Sequence, residues 1–215
     1  MLLPSRPSSG LRATEQRLPA GIVPGLARAR AHELCGPSRF ALALLILAES
    51  EGPVIWIAPA WLPERPHACG IADYLHPGRL IFAHARRPED LQWCAEEALR
   101  SGAAPMVVAD MPKPPGLTAV RRMHLAAESG AEAAHHARSG PAPLGLILCP
   151  GDGGAQGVET RWHMRPLPAP FTLTEDLGPV WHLERRRARS APVAAWRLAR
   201  SASGQATAQT TAPDT

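Results

Sequence analysis

The hydrophobic pattern from Ala31 to Ser50 organises the chain: Ala31 to Cys35 is a short run, Gly36-Pro37 makes a tight turn, and Phe40 to Ala48 is apolar on every side of a helix. A helix apolar all round has to be buried. A bilayer span takes about 20 apolar residues, so this shorter helix is covered by the rest of the protein. The spacing predicts a strand near 31–35 and a helix from about Ser38 to Glu49. Further continuous apolar runs near 54–58, 79–83, 105–110 and 144–149 read as strands buried on both faces of a parallel sheet.

Helical periodicity separates these runs. Ala68 to Leu75 reads as a short helix. A longer one opens at Pro88-Glu89-Asp90, with Leu91, Cys94, Ala95, Ala98 and Leu99 on one face. Gln92, Glu96, Glu97 and Arg100 then point to water, and Gly102 is the stop. The next helix, Thr118 to Ser129, turns Val120, Met123 and Ala127 inward and is expected to end at Gly130. Strands alternating with helices predict an α/β fold: a mainly parallel central sheet with helices on both faces.

Past the glycine-rich Gly151 to Gly157 the pattern becomes period two, in Arg161 to Arg165, Trp181 to Glu184 and Ala195 to Arg200. Such alternation predicts two or three antiparallel strands at the sheet edge, with Trp181, Leu183, Trp196 and Leu198 inward. Arg185-Arg186-Arg187-Ala188-Arg189 is expected in the connection between the last two. It reads equally as a charged guard against edge aggregation and as a binding site formed with Arg197 and Arg200. The segments 1–20 and 201–215 are polar or proline-rich and are expected to be disordered, leaving one domain over 21–200.

Composition changes this picture little. The 215 residues carry a net charge of +4, almost all of the positive charge being arginine. Arginine forks suit phosphates and carboxylates, but the Ala, Pro and Gly richness points to a compositional bias that also favours arginine. Four widely spaced cysteines and nine histidines make no metal-ligand spacing, so no metal site is expected. Free thiols, the absence of a signal-peptide core and the lack of a membrane-length run point to a cytoplasmic chain that does not enter a membrane.

The first strand, turn and helix have the outline of a phosphate-binding loop, in which helix-start N–H groups face the ligand. The chemistry departs from G-x-x-x-x-G-K-[ST]. Gly36-Pro37-Ser38-Arg39-Phe40 is short, has one glycine, puts arginine in the lysine position and phenylalanine where a hydroxyl holds magnesium. Pro37 also removes one N–H from the cradle.

Taken in order, several blocks resemble the bacterial ImuA family, RecA-like proteins also grouped with SulA-type SOS factors. They are Arg30-Ala-His-Glu-Leu-Cys-Gly-Pro37, Ile55-Trp56-Ile57-Ala58, His76-Pro77-Gly78-Arg79-Leu80, and Asp90-Leu-Gln-Trp-Cys-Ala-Glu-Glu-Ala-Leu-Arg-Ser-Gly102. Arg121-Arg122 to Glu128, Glu159-Thr160-Arg161-Trp162 and an arginine-rich hairpin ending in Trp196 continue the match, over about Pro24 to Arg200.

The resemblance implies a RecA-like fold and a role in SOS-induced translesion DNA synthesis beside an ImuB-type Y-family polymerase homologue and an error-prone replicative-type polymerase. RecA and DNA are further candidate partners. It also aligns Gly36, Pro37, Ser38 and Arg39 with the start of the RecA phosphate loop, Pro59-Ala60 with the site of the glutamate that activates water, and Asp110 with the magnesium-holding acid. Lysine, hydroxyl and base are lost together, so the expectation is a non-catalytic accessory protein without a cofactor, residual nucleotide binding left open. A weak RecA-like ATPase using Arg39 and Asp110 and a SulA-type cell-division inhibitor are the alternatives.

Overall fold

The computed structural model describes residues 23–138, 140–168, 178–201 and 204–211. Its strands and helices follow in the order β1 (Ala31–Cys35), α1 (Arg39–Ala48), β2 (Val54–Pro59), α2 (Ala68–Ala72), β3 (Leu80–Ala85), α3 (Pro88–Ser101), β4 (Met106–Asp110), α4 (Leu117–Ala137), β5 (Leu144–Leu148), β6 (Thr160–Leu167), β7 (Val180–Ala188), β8 (Ala194–Arg200) and β9 (Ala206–Thr211). All form one sheet in the order β3-β2-β4-β5-β1-β6-β7-β8-β9. The first six strands of that order are parallel, and β7, β8 and β9 are added antiparallel. This is the α/β architecture that the hydrophobic pattern predicts.

Two layers cover the sheet. On one face α1 and α2 enclose Leu34, Trp56, Val108, Leu146, Trp162 and Leu183. On the other, α3 and α4 enclose Ile57, Val107, Ala109 and Ile147. In α1 every residue from Leu42 to Leu47 is buried, as a helix apolar all round requires. Trp181, Leu183 and Leu198 join the α1 side of the core, with Trp196 packed against it half-buried.

Four expectations change. First, β6 is parallel to β1 and only its other edge is antiparallel, because period-two alternation reports one wet face and not strand direction. Second, Arg185, Arg186 and Arg187 lie within β7 and not in a connection. Third, part of the stretch expected to be a disordered tail pairs with β8 as β9, whose threonines suit a strand although its polarity hid it. The expected N-terminal disorder at 1–20 falls outside the described residues.

The fourth change is that α4 runs through Gly130 to Ala137. Gly130 is a contact and not a stop: a Cβ there would lie 1.9 Å from the carbonyl oxygen of Leu99 in α3. Glu96, expected in water, is buried at the same seam, where Arg122 Nη2 reaches it at 2.7 Å. Gly130→Ala should therefore cost at least about 2–3 kcal/mol in urea unfolding, since the two backbones have to separate. Gly70→Ala, where nothing lies within 4 Å of the added carbon, is the control and should change stability by under about 1 kcal/mol.

Candidate functional site

The turn after β1 puts Gly36, Pro37, Ser38 and Arg39 together at the carboxyl end of the sheet, where open α/β sheets bind ligands. Its N–H groups are turned onto the protein itself. Gly36 N donates to Gly151 O at 2.8 Å, Ser38 N to Met164 O at 3.1 Å and Arg39 N back to Gly36 O at 3.3 Å, while Pro37 has no N–H. Gly36 adopts φ +90°, and a Cβ there would lie 2.4 Å from Met164 O and 2.8 Å from His163 Nε2. The space above the turn is thus taken by the start of the β5–β6 connection and by β6.

Arg39 and Asp110 flank this turn without closing an ion pair. The Arg39 guanidinium lies 4.7 Å from the ring centroid of Phe40, and its buried Nε has no hydrogen-bond partner. Asp110 ends β4, separated from β1 by β5, about 10 Å at the usual strand spacing. Burial pushes its carboxyl above the usual range; the Arg39 charge pulls it back and Glu64 raises it further. Phe40 stacks on Trp56 at 6.1 Å, so the residue at the hydroxyl position belongs to the core.

The strongest polar feature is one the sequence reading passed over. Glu33, fully buried in the middle of β1, accepts N–H bonds from Gly154 at 2.7 Å and Ala155 at 2.9 Å, and its second oxygen is bound by Arg161 Nε. Arg161 also donates to Ala155 O at 2.9 Å. These bonds fasten the helix-free connection that returns the chain from β5 to the start of β6. The signal was present: an acid inside an apolar strand has to be paired.

Beside it lies a second network. Arg186 Nε donates to Glu184 at 2.8 Å and its Nη1 to Asp152 at 2.8 Å. His163 sits 3.8 Å from Asp152 and 4.0 Å from Glu184, and His182 lies 3.8 Å from Glu184. Burial and the Arg186 charge hold His163 below the ordinary histidine range, against Glu184 and Asp152. The register of β6 and β7 shifts so that Arg186 opposes neither Arg161 nor Trp162, a β-bulge that re-aims its side chain.

The other hairpin arginines are also largely engaged. Arg185 lies over Trp162 and Trp196, with centroid distances of 5.6 and 5.3 Å, and donates to Pro192 O. Arg189 approaches Glu159 at 3.6 Å, and Arg200 lies 4.4 Å from the Tyr74 centroid. The side chains of Arg187 and Arg197 remain without a hydrogen bond or ion pair among the described residues. The sequence-predicted arginines therefore do not form one surface; they divide into braces and two free cations. Among the described residues, no group of three or more His, Cys, Asp or Glu is placed to hold a metal ion, and no helix is long and apolar enough to cross a membrane.

Fold and site together define an α/β chain with a mainly parallel sheet, antiparallel C-terminal strands and a phosphate-loop outline closed by its own backbone. No protein-family model matches the chain, and none of the curated proteins matches it in sequence. Among solved structures it is similar to SulA from Pseudomonas aeruginosa, with 20% identity and a TM-score of 0.42, over 56% of this chain and 98% of that one.

Two outcomes follow for stability. Glu33→Gln leaves Arg161 without its counter-ion and should cost about 3–5 kcal/mol in chemical denaturation, and Glu33→Met with Arg161→Met should not recover it, because the N–H groups of Gly154 and Ala155 and the carbonyl of Ala155 then lose their partners. His32 is fully buried, hydrogen-bonded to Thr160 Oγ1 and Ala27 O, and burial lowers its pKa to about 4. The unfolded chain takes up this proton first, so stability is complete above about pH 6.5 and falls as pH drops towards 4, by about 3 kcal/mol in all. A urea midpoint that stays level between pH 7.5 and 4.5 would contradict this.

Proposed function

We propose that this chain is a non-catalytic accessory protein of SOS-induced translesion DNA synthesis, acting beside an ImuB-type Y-family polymerase homologue and an error-prone replicative-type polymerase. The observation that carries the non-catalytic half is the closed loop: Gly36, Ser38 and Arg39 give their N–H groups to protein carbonyls at 2.8–3.3 Å. Phosphoryl transfer needs a phosphate cradle, a metal ligand and a placed water at once, and Pro37, Phe40 and Pro59-Ala60 stand where those groups would be. The process and the partners rest on the ordered blocks from Arg30 to Trp196 that resemble the ImuA family.

Partner contact is assigned to the part of the hairpin left free. Among the described residues, Arg187 and Arg197 are the cations there whose side chains have no ion pair or hydrogen bond, and arginine is enriched where interfaces are strongest. Arg185, Arg186 and Arg189 brace the hairpin itself.

Two measurements test the reading. The purified chain should show no ATP turnover above blank, and steady hydrolysis abolished by Asp110→Ala would refute the non-catalytic role. In a pull-down with the ImuB-type homologue, Arg187→Ser with Arg197→Ser should reduce capture at least about tenfold, with the far-ultraviolet circular dichroism unchanged. Undiminished capture of the homologue, and of single-stranded DNA, would reject these residues as the working surface.

A further inference from the structure

A cavity of about 270 Å³ opens between the segment before β1 and the β7–β8 turn. Pro24 and Ala27 form one wall, Ala188 and Ala191 the other, and Glu159, Thr160, Arg185 and Ser190 supply its polar groups. Thr160 opens β6, which runs parallel to β1, so the cavity lies at the amino end of these strands, opposite the closed turn. Drug-sized ligands occupy about 300–1,000 Å³, and this space suits a smaller molecule.

Most of the polar groups around it are already committed. His32 Nε2 faces the Ala27 carbonyl at 2.9 Å and so carries the proton of the neutral ring, which leaves Nδ1 to accept from the Thr160 hydroxyl at 2.7 Å. Trp162 Nε1 donates to the same hydroxyl oxygen at 2.7 Å. The Glu159 carboxylate lies between Arg30 Nε at 3.8 Å and Arg189 Nε at 3.6 Å. Arg185 differs. Its half-buried guanidinium is held against the Trp162 and Trp196 rings and donates from Nε to Pro192 O at 3.0 Å, while Nη1 and Nη2 make no hydrogen bond or ion pair among the described residues. Two such N–H groups side by side in a fixed plane match the two oxygens of a carboxylate.

We propose that this cavity binds a carboxylate, gripped by Nη1 and Nη2 of Arg185, with the Ser190 hydroxyl as a further donor and the apolar walls holding a small body behind it. The charge balance favours a monoanion: Arg30, Arg185 and Arg189 stand against Glu128 and Glu159, an excess of one positive charge. A phosphate dianion would bring a second negative charge up to Glu159. The stacked rings and the Pro192 bond fix the guanidinium before any ligand arrives, and such preorganisation favours binding. A free organic acid and the carboxyl end of a polypeptide both carry the required group.

The indole N–H signals of Trp162 and Trp196, followed by nuclear magnetic resonance in the full chain, test this because both rings lie against Arg185. Benzoate should shift them saturably, with a dissociation constant between about 0.1 and 10 mM for a ligand of so few atoms. A short peptide with a free C-terminus, run beside its amidated form, separates the two sources. Tighter saturation by the free peptide than by benzoate assigns the site to polypeptide ends, and the reverse assigns it to a small acid. Arg185→Lys keeps the charge but loses the fork, and should weaken benzoate at least about tenfold. Ala191→Leu leaves Arg185 in place and fills the cavity, and should do the same with unchanged circular dichroism. The proposal is overturned if no ligand gives a saturable shift, if inorganic phosphate or chloride acts as strongly as benzoate, or if either variant, still folded, binds as the natural chain does.

Discussion

The carboxylate of Glu33 is the interaction on which the β1 end of the molecule depends. Parallel strands need a connection that travels back the length of the sheet, usually as a helix. Between β5 and β6 there is none, and residues 149–159 make the return as irregular chain. Such a segment buries N–H groups that no ladder satisfies. Glu33 takes two of them, from Gly154 and Ala155, and its charge is met by Arg161, which in turn covers Ala155 O. One buried acid thereby supplies the bonds that a helix would have made within itself.

That same return path closes the turn after β1. Gly151, at its start, accepts from Gly36 N, and β6, which it delivers, supplies Met164 O to Ser38 N and the His163 ring against Gly36. A phosphate would have to compete for these donors with carbonyls already in place at 2.8–3.1 Å. The absence of a lysine and a hydroxyl at Arg39 and Phe40 and the occupation of the turn's N–H groups by carbonyls act in the same direction. The anion that the loops at this end of the sheet hold is the protein's own, the Glu33 carboxylate.

The sheet and its helices were legible because burial on two faces, burial on one face and helical periodicity each leave a distinct hydrophobic pattern. What stayed hidden depended on partners distant in sequence. Gly130 reads as a stop until Leu99 O is found 1.9 Å from where its Cβ would be, and Glu96 reads as solvated until Arg122 is brought to it. The loop residues Gly36, Pro37, Ser38, Arg39 and Asp110 were found by motif, but Glu33 and Arg161 were not. They are 128 positions apart and obey no local spacing. The parallel direction of β6 was hidden for the same reason, since alternation is blind to which way a strand runs.

The arginines show how far composition can mislead. A run of four in five residues, Arg185 to Arg189, suggests an open cationic surface, yet a strand sends successive side chains to opposite faces. Arg185 falls on the face of Trp162 and Trp196 and becomes a cation over two rings. The bulge then releases Arg186 from the alternation and carries it to Glu184 and Asp152. Much of the charge in the run is therefore spent on holding β6, β7 and β8 together, where Trp162, Leu183 and Leu198 pack on the α1 side of the core. The rigidity this gives the hairpin places Arg187 and Arg197 on a frame that these internal contacts have already ordered.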